Sequence, residues 1–146
     1  MERNGLSKEK MNWTAKASSF SLSKEKWFEV YKRLSNEKPH HVLLESGRGG
    51  QYSIIGLDPF AIVEGKGEVL TVKRGNETET KNGKLLDSLK EVMAPYRTAV
   101  LPDTPSFQGG AIGYLSYDIV REIEKLPHIS NDDLGLPDLY FMLFHD

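Results

Sequence analysis

The stretch from Tyr52 to Arg74 constrains the fold most, because three short strand-like segments follow one another within it. The segments are YSIIG, FAIVEG and EVLTVKR, and each is rich in β-branched or aromatic residues. Asp58-Pro59 separates the first two, and two glycines separate the second from the third. Because connections of this length join antiparallel neighbours, the pattern predicts successive antiparallel strands.

Further strand-like segments lie on both sides of this stretch. HVLLES is a short apolar run at positions 41–46, and three glycines between positions 47 and 50 permit a tight turn after it. Asn82-Gly83 is a strong turn signal, so NETETK before it suits a solvent-facing edge strand. FQGGAIGY at positions 107–114 begins as a glycine-rich strand.

The last segment, LYFMLFHD, is apolar at six consecutive positions from Leu139 to Phe144. A strand of this kind is normally paired on both edges or covered by another element. No turn or polar tail follows it, so we expect the chain to be part of a longer protein whose remainder it needs.

Three segments show a helical pattern. In the first, Trp27, Tyr31 and Leu34 share one face, Ser23 is the predicted N-cap and Pro39 closes the segment. The second ends before Pro95 and carries one apolar stripe, formed by Leu85, Leu86, Leu89, Val92 and Met93. The third is predicted to run from near Tyr117 to Leu126.

Strands and helices in this order predict an α+β domain with a largely antiparallel sheet covered by helices. We expect residues 1–20 to be a polar leader, with a short strand around Trp13, and residues 21–146 to form one domain. A chain of 146 residues is long enough for a single core and short for two.

Composition excludes several functional classes. With 19 basic and 21 acidic side chains, no bulk charge attracts nucleic acid or a membrane surface. Cysteine is absent, which excludes disulfides and thiolate metal sites. The first residues lack an apolar signal core, and no stretch reaches the roughly 20 apolar residues of a membrane span. The sequence therefore predicts a cytoplasmic protein.

No convincing catalytic, metal or cofactor set is present in the sequence. His40-His41, His128 and His145 are scattered, and adjacent histidines on a strand point to opposite faces. The run Gly109-Gly110-Ala111-Ile112-Gly113 lacks the full spacing of a dinucleotide-binding loop, and close backbone packing explains it better. Asp132-Asp133 is interpreted as a solvated acidic turn. We therefore expect no catalytic residue, metal or cofactor in this chain.

Three segments in order resemble one family. LLESGRGGQYSIIGLDPF, FQGGAIGYLSYDIVREIEKLP and DDLGLPDLYFMLFHD are similar to motifs in the N-terminal domain of the anthranilate synthase component I family, which includes aminodeoxychorismate synthase component I. The similarity covers the chain from about Ser23 to its end. The resemblance implies that a chorismate-binding domain follows in the complete protein and is absent here.

That missing domain, by the same resemblance, binds chorismate, holds Mg²⁺ and supplies the acid and base. The complete enzyme takes ammonia from a glutamine amidotransferase subunit and uses it to replace the ring hydroxyl of chorismate. The product, 4-amino-4-deoxychorismate, leads to para-aminobenzoate and folate. Members of the anthranilate branch additionally eliminate pyruvate.

The N-terminal domain of the family also carries a tryptophan site. Carried over by motif, its residues here are Glu45, Ser46, Tyr52, Ser53, Ile54 and Ile55. Hydroxyl and backbone groups at a glycine turn suit the polar end of an amino acid, and Glu45 suits the ammonium group. The alternative interpretation is that LLES and YSII are paired core strands whose serines cap the turn.

Two departures favour the aminodeoxychorismate branch over the anthranilate branch. The turn from Ser46 to Tyr52 is compact, and Ser116 stands where many anthranilate synthases have glycine. Two other classes of function stay open at this point. One is a stand-alone tryptophan-binding regulatory module, and the other is an interaction domain that docks the amidotransferase.

Overall fold

The structure is a computed structural model that describes residues 18, 21, 23, 26–45, 52–97, 101–102, 107–124 and 135–145. Its elements in chain order are α1 (Trp27–Ser35), β1 (His41–Glu45), β2 (Ser53–Leu57), β3 (Ala61–Lys66), β4 (Val69–Arg74), β5 (Glu77–Asn82), α2 (Leu85–Met93), β6 (Gly110–Leu115) and β7 (Leu139–Phe144). Two short 3₁₀ helices lie at Ala94–Tyr96 and Tyr117–Glu122. The strand expected around Trp13 falls outside the described residues.

Seven strands form two separate antiparallel sheets. Five of them make the main sheet, in the order β5-β4-β3-β7-β6. The other two, β1 and β2, pair only with each other in the described part of the chain and form a two-stranded ribbon. The predicted α+β class with an antiparallel sheet is confirmed.

Strand β7 lies inside the main sheet, between β3 and β6. Leu139 and Leu143 on one of its faces are almost completely buried. A strand that pairs on both edges needs an apolar face toward the core, and this explains the continuous apolar run at positions 139–144. The expectation that this run would be paired on both edges is therefore confirmed.

Helix α2 covers one face of the main sheet, as its apolar stripe predicts. Leu85 and Val92 of the helix are buried with Val63, Leu70 and Leu139 of the sheet in a single core cluster. Gly65 of β3 lies so close to the helix that an added Cβ would be 3.0 Å from the Cδ1 atom of Leu85. The missing side chain in β3 lets α2 approach the sheet closely.

The glycine run before β6 has two different structural reasons. Gly109 and Gly110 have φ angles of 114° and 134°, a region that residues with a side chain rarely adopt. Gly113 lies against the backbone of β7, where an added Cβ would clash with the Tyr140 carbonyl and be 2.7 Å from the Cα atom of Phe141. The predicted close packing is confirmed for Gly113, whereas backbone conformation explains the first two glycines.

Helix α1 packs on the ribbon, and its start differs from the prediction. The helix begins at Trp27 after Lys26, so Ser23 is not its N-cap. Instead, the carbonyl of Ser23 accepts a hydrogen bond from the Lys26 N–H in the turn before the helix. The hydroxyl of Tyr31 lies 2.7 Å from Nδ1 of His41 and links the helix to the base of the ribbon.

The helix predicted from Tyr117 to Leu126 is a 3₁₀ helix that ends at Glu122. Ser116 sets its start, because the serine Oγ accepts a hydrogen bond from the N–H of Asp118. Leu126 lies outside the described residues. In the described part of the chain, no helix has both the length and the apolar character that a membrane crossing requires.

Candidate functional site

The ribbon brings part of the predicted ligand site together. In its antiparallel register, Glu45 lies directly opposite Ser53 at the last pair before the turn. Side chains opposite each other on one face of such a pair have Cβ atoms about 5 Å apart. Both residues are exposed, so a carboxylate and a hydroxyl stand side by side at the open end of the ribbon.

The two isoleucines of the predicted site point to opposite faces of the ribbon, because successive strand residues alternate. Ile55 lies opposite Leu43 and shares its face with Ser53 and Glu45. Ile54 lies opposite Leu44 on the other face. The register therefore places Glu45, Ser53 and Ile55 on one face of the ribbon and Ile54 on the other, and the predicted ligand site stays a prediction.

Two other predicted residues lie at or beyond the turn. Tyr52 precedes β2, and 63 % of its surface is exposed. Ser46 lies outside the described residues, as do the turn residues that follow it. The pairing of LLE with SII is confirmed by the register, whereas the description of these strands as core strands is not, since Leu43 and Ile55 are only half-buried.

Each face of the ribbon is anchored by a different neighbour. On the face of Glu45, Ser53 and Ile55, Tyr31 of α1 packs against His41 with ring centroids 5.6 Å apart. On the opposite face, Gly56 lies against the ring of Phe144 from β7. The candidate face is thus in contact with α1 at its base, where His41 is still exposed, half-buried in its middle and exposed at its polar end.

Two side chains beside Glu64 have pKa values that are shifted away from neutral pH. Burial, and then the charge of Glu64, raise the pKa of Tyr140, which keeps this phenol neutral. A hydrogen bond from Lys73 to Glu64 raises the pKa of the lysine and keeps it charged. Neither shift moves a pKa toward 7, where a general acid or base is most effective.

Among the described residues, no three or more histidine, aspartate or glutamate side chains lie together in a way that could hold a metal ion. His41 contacts Tyr31, and the ring of His145 stacks on Phe60 with centroids 4.1 Å apart. His128 and Asp132-Asp133 lie outside the described residues. The two described histidine contacts fit packing roles.

A shallow pocket of about 200 Å³ lies on the main sheet, away from the ribbon. It is lined by residues of β3, β4 and the segment before β7, namely Glu64, Gly65, Lys66, Val69, Thr71, Gly135 and Pro137. The amino group of Lys66 is hydrogen-bonded to the Leu136 carbonyl at 2.7 Å. This contact joins the pocket wall to the segment before β7, so the lysine holds the wall together.

Two contacts were not predicted from the sequence. Glu122 binds the first N–H groups of α2, and Phe144 fills the space beside Gly56. A glycine within a strand often marks a close approach of another group, so Gly56 carried a signal for the second contact. Helix caps are normally sought next to the helix, and Glu122 is 37 residues away along the chain.

Comparison with known proteins finds clear relatives. The chain is 46% identical over 125 residues to aminodeoxychorismate synthase component 1 of Bacillus subtilis, covering 86% of this chain and 27% of that protein. It is 41% identical over 105 residues to anthranilate synthase component 1 of Acetivibrio thermocellus, covering 68% of this chain and 21% of the relative. A scan against protein-family models finds no match.

A third relative is anthranilate synthase component 1 of Thermus thermophilus, 41% identical over 116 residues that cover 77% of this chain and 24% of the relative. The chain thus spans about a quarter of the length of these curated relatives. The aligned segment covers most of the chain in each case, so the similarity is not limited to one motif.

Proposed function

This chain belongs to the anthranilate synthase component I family, and from that premise we propose that it is the N-terminal part of a synthase that aminates chorismate. The identity of 46% over 125 residues to an aminodeoxychorismate synthase component 1 carries the proposal. The product would be 4-amino-4-deoxychorismate, with ammonia from a glutamine amidotransferase subunit.

We infer that the chemistry of the proposed synthase is divided between this segment and the domain that would follow it. Its described residues offer a sheet, a covering helix and a ribbon, and they contain no group of three or more side chains that could hold a metal ion. Replacement of a ring hydroxyl needs a polarising metal and a positioned acid or base. We place Mg²⁺, the chorismate site and both catalytic groups in the domain that would follow, and we expect this chain alone to be inactive.

Aminodeoxychorismate rather than anthranilate synthesis is supported by two features. The identity is higher to the aminodeoxychorismate relative than to the two anthranilate relatives, and it extends over more of the chain. The turn between β1 and β2 is short in sequence, with seven positions from Ser46 to Tyr52. A cytoplasmic location for the synthase stays a prediction.

A chimeric enzyme tests the proposed activity. The aligned segment of the Bacillus subtilis relative is replaced by this chain, and ammonia-dependent consumption of chorismate is measured with Mg²⁺ present. We expect turnover within an order of magnitude of the parent enzyme, and aminodeoxychorismate rather than anthranilate as product. A chimera that folds, as judged by circular dichroism, but consumes no chorismate would contradict the proposal.

The same assay on this chain alone separates the proposed enzyme part from an independent enzyme. We expect no consumption of chorismate with ammonia and Mg²⁺, because the chemistry is assigned to the other domain. Turnover by the isolated chain would overturn this division of labour.

We further propose that the open end of the ribbon binds the polar part of tryptophan as an effector. The carboxylate of Glu45 suits the ammonium group, and the hydroxyl of Ser53 suits the carboxylate of the ligand. Ile55 lies one pair closer to the base on the same face and suits the indole. The proposed set of residues also includes Tyr52, which precedes β2, and Ser46, which follows Glu45 in the sequence.

Calorimetry tests this ligand. Tryptophan is titrated into the chimeric synthase and into the isolated chain, with phenylalanine as a control of similar charge. Binding that is lost in Glu45→Gln and Ser53→Ala supports the site. Binding by the isolated chain as well would favour a stand-alone regulatory module, whereas no heat with either protein would contradict the effector site.

A further inference from the structure

The Phe144 ring fits the space beside Gly56 closely. A Cβ added at Gly56 would be 3.0 Å from both Cε2 and Cζ of that ring. It would also be 3.0 Å from Cγ1 of Val42, the residue opposite Gly56 in the ribbon. Contacts this short require the neighbours to shift by a few tenths of an ångström, so the glycine allows the ribbon and the main sheet to touch.

Phe144 is buried and its backbone is held in the main sheet. Phe144 is 7 % exposed and is the last residue of β7, where it pairs with Gly110 of β6. The preceding residue, Leu143, accepts a backbone hydrogen bond at 2.9 Å from Phe60, which lies just before β3. Because these contacts hold the backbone of Phe144, a side chain at position 56 would press against the ring and against Val42 of the ribbon.

The contact lies near the base of the ribbon, and the proposed ligand groups lie at its open end. Gly56 and Ser53 are three positions apart on β2, which is about 10 Å of extended chain. Val42 and Glu45 are also three positions apart on β1. Any shift or tilt at the base is therefore carried along both strands to the carboxylate and the hydroxyl.

We propose that Gly56 and Phe144 are positioning residues for the effector site at the open end of the ribbon. This inference rests on the effector site proposed above. The ring of Phe144 sets the spacing between ribbon and sheet, and that spacing sets where Glu45 and Ser53 stand. The side chains of a binding site must stand within about half an ångström of their productive positions. A methyl group at position 56 would cause a shift of comparable size.

The test compares tryptophan affinity with fold stability in the chimeric synthase. Gly56→Ala is expected to weaken binding by about tenfold or more. The matched control is Val92→Ala, which truncates a buried side chain of α2 on the other face of the main sheet. It is expected to lower the melting temperature with no change in affinity, so stability loss alone cannot account for the effect.

A second substitution tests the contact itself. Phe144→Leu shortens the side chain that faces position 56, so the double variant Gly56→Ala with Phe144→Leu is expected to regain most of the lost affinity. Amide hydrogen exchange in the ribbon, at residues 41–45 and 53–57, should rise in Gly56→Ala and fall back in the double variant. It should stay unchanged in Val92→Ala.

The outcomes distinguish the positioning role of Gly56 and Phe144 from the proposal that the ribbon binds tryptophan. If the wild-type protein binds no tryptophan, both fail. If it binds tryptophan and Gly56→Ala binds equally well, only the positioning role fails. Equal loss of affinity in Val92→Ala, or no recovery in the double variant, would also overturn the positioning role.

Discussion

Glu122 caps a helix from a distant part of the chain, because its Oε1 atom accepts a hydrogen bond from the Leu85 N–H at 2.7 Å. Its second carboxylate oxygen accepts one from the next residue, Leu86, at 3.1 Å. The first N–H groups of a helix have no partner within the helix, and Lys84 at the N-cap makes no side-chain cap here. The 3₁₀ helix that follows β6 is thereby tied to α2.

Replacing this carboxylate should destabilise the domain. Glu122→Ala removes two hydrogen bonds and a negative charge at the positive end of the helix, and we expect a loss of about 1 to 2 kcal/mol in the free energy of unfolding. Urea denaturation followed by circular dichroism measures it. Glu124→Ala, at an exposed position two residues on, is the control and should change stability little. Equal effects of the two variants would contradict the cap.

Much of the fold could be predicted from the sequence because its signals are local. Three confirmed features depend only on residues close together in the sequence. They are the short strands separated by turn residues, the apolar stripe of α2 and the Asn82-Gly83 turn. The start of α1 was misplaced because Ser23 is a favourable cap residue, while the helix starts four residues later without a side-chain cap.

The candidate site was harder to predict, since it depends on contacts distant in the sequence. The motif placed Glu45 and Ser53 near one turn, and the structure pairs them directly opposite each other, which the motif did not predict. A glycine in a strand can indicate a close approach, but nothing local showed that Phe144 would be the residue that packs on Gly56, because the two are 88 positions apart. The split between Ile54 and Ile55 follows from strand alternation and could have been predicted from the strand assignment alone.

Gly113→Ala should be among the most damaging single substitutions in the main sheet. An added methyl group would clash with the backbone of β7 at Tyr140 and Phe141, and backbone atoms cannot turn away as a flexible side chain can. We expect a loss of several kcal/mol, seen as a strong fall in urea midpoint or in soluble yield. Tyr114→Ala, at the next position and 43 % exposed, should cost distinctly less. The reverse order would contradict the close approach of β6 to β7.

Tyr140 should make stability fall as the pH rises through the alkaline range. Burial, with a contribution from the charge of Glu64, raises the pKa of its hydroxyl above the ordinary value of 10.0. The folded state therefore holds this proton more tightly than the unfolded state. The stabilisation is complete below the pKa of the unfolded chain and is lost as the pH rises through the higher pKa of the folded state.

We expect Tyr140→Phe to reduce the loss of stability between neutral and strongly alkaline pH, measured by urea denaturation at a series of pH values. Ultraviolet titration of the phenolates should show that the latest-ionising component has disappeared. Tyr114→Phe is a suitable control, because its ring stacks on Tyr140 with centroids 5.9 Å apart. If that variant removes the late component instead, the raised pKa has been assigned to the wrong ring.

The two isoleucines of the ribbon give the sharpest test of the proposed effector site. Both are half-buried neighbours on β2, so Ile54→Ala and Ile55→Ala should lower stability by similar amounts. They differ in the face they occupy, since Ile55 shares the face of Glu45 and Ser53 whereas Ile54 lies on the face of Gly56 and Phe144. If Ile55 contacts the indole directly, Ile55→Ala should weaken tryptophan binding about tenfold more than Ile54→Ala does, because it removes an aliphatic side chain from the contact. Calorimetry on the chimeric synthase decides between them, and a larger loss in Ile54→Ala would place the ligand on the opposite face of the ribbon.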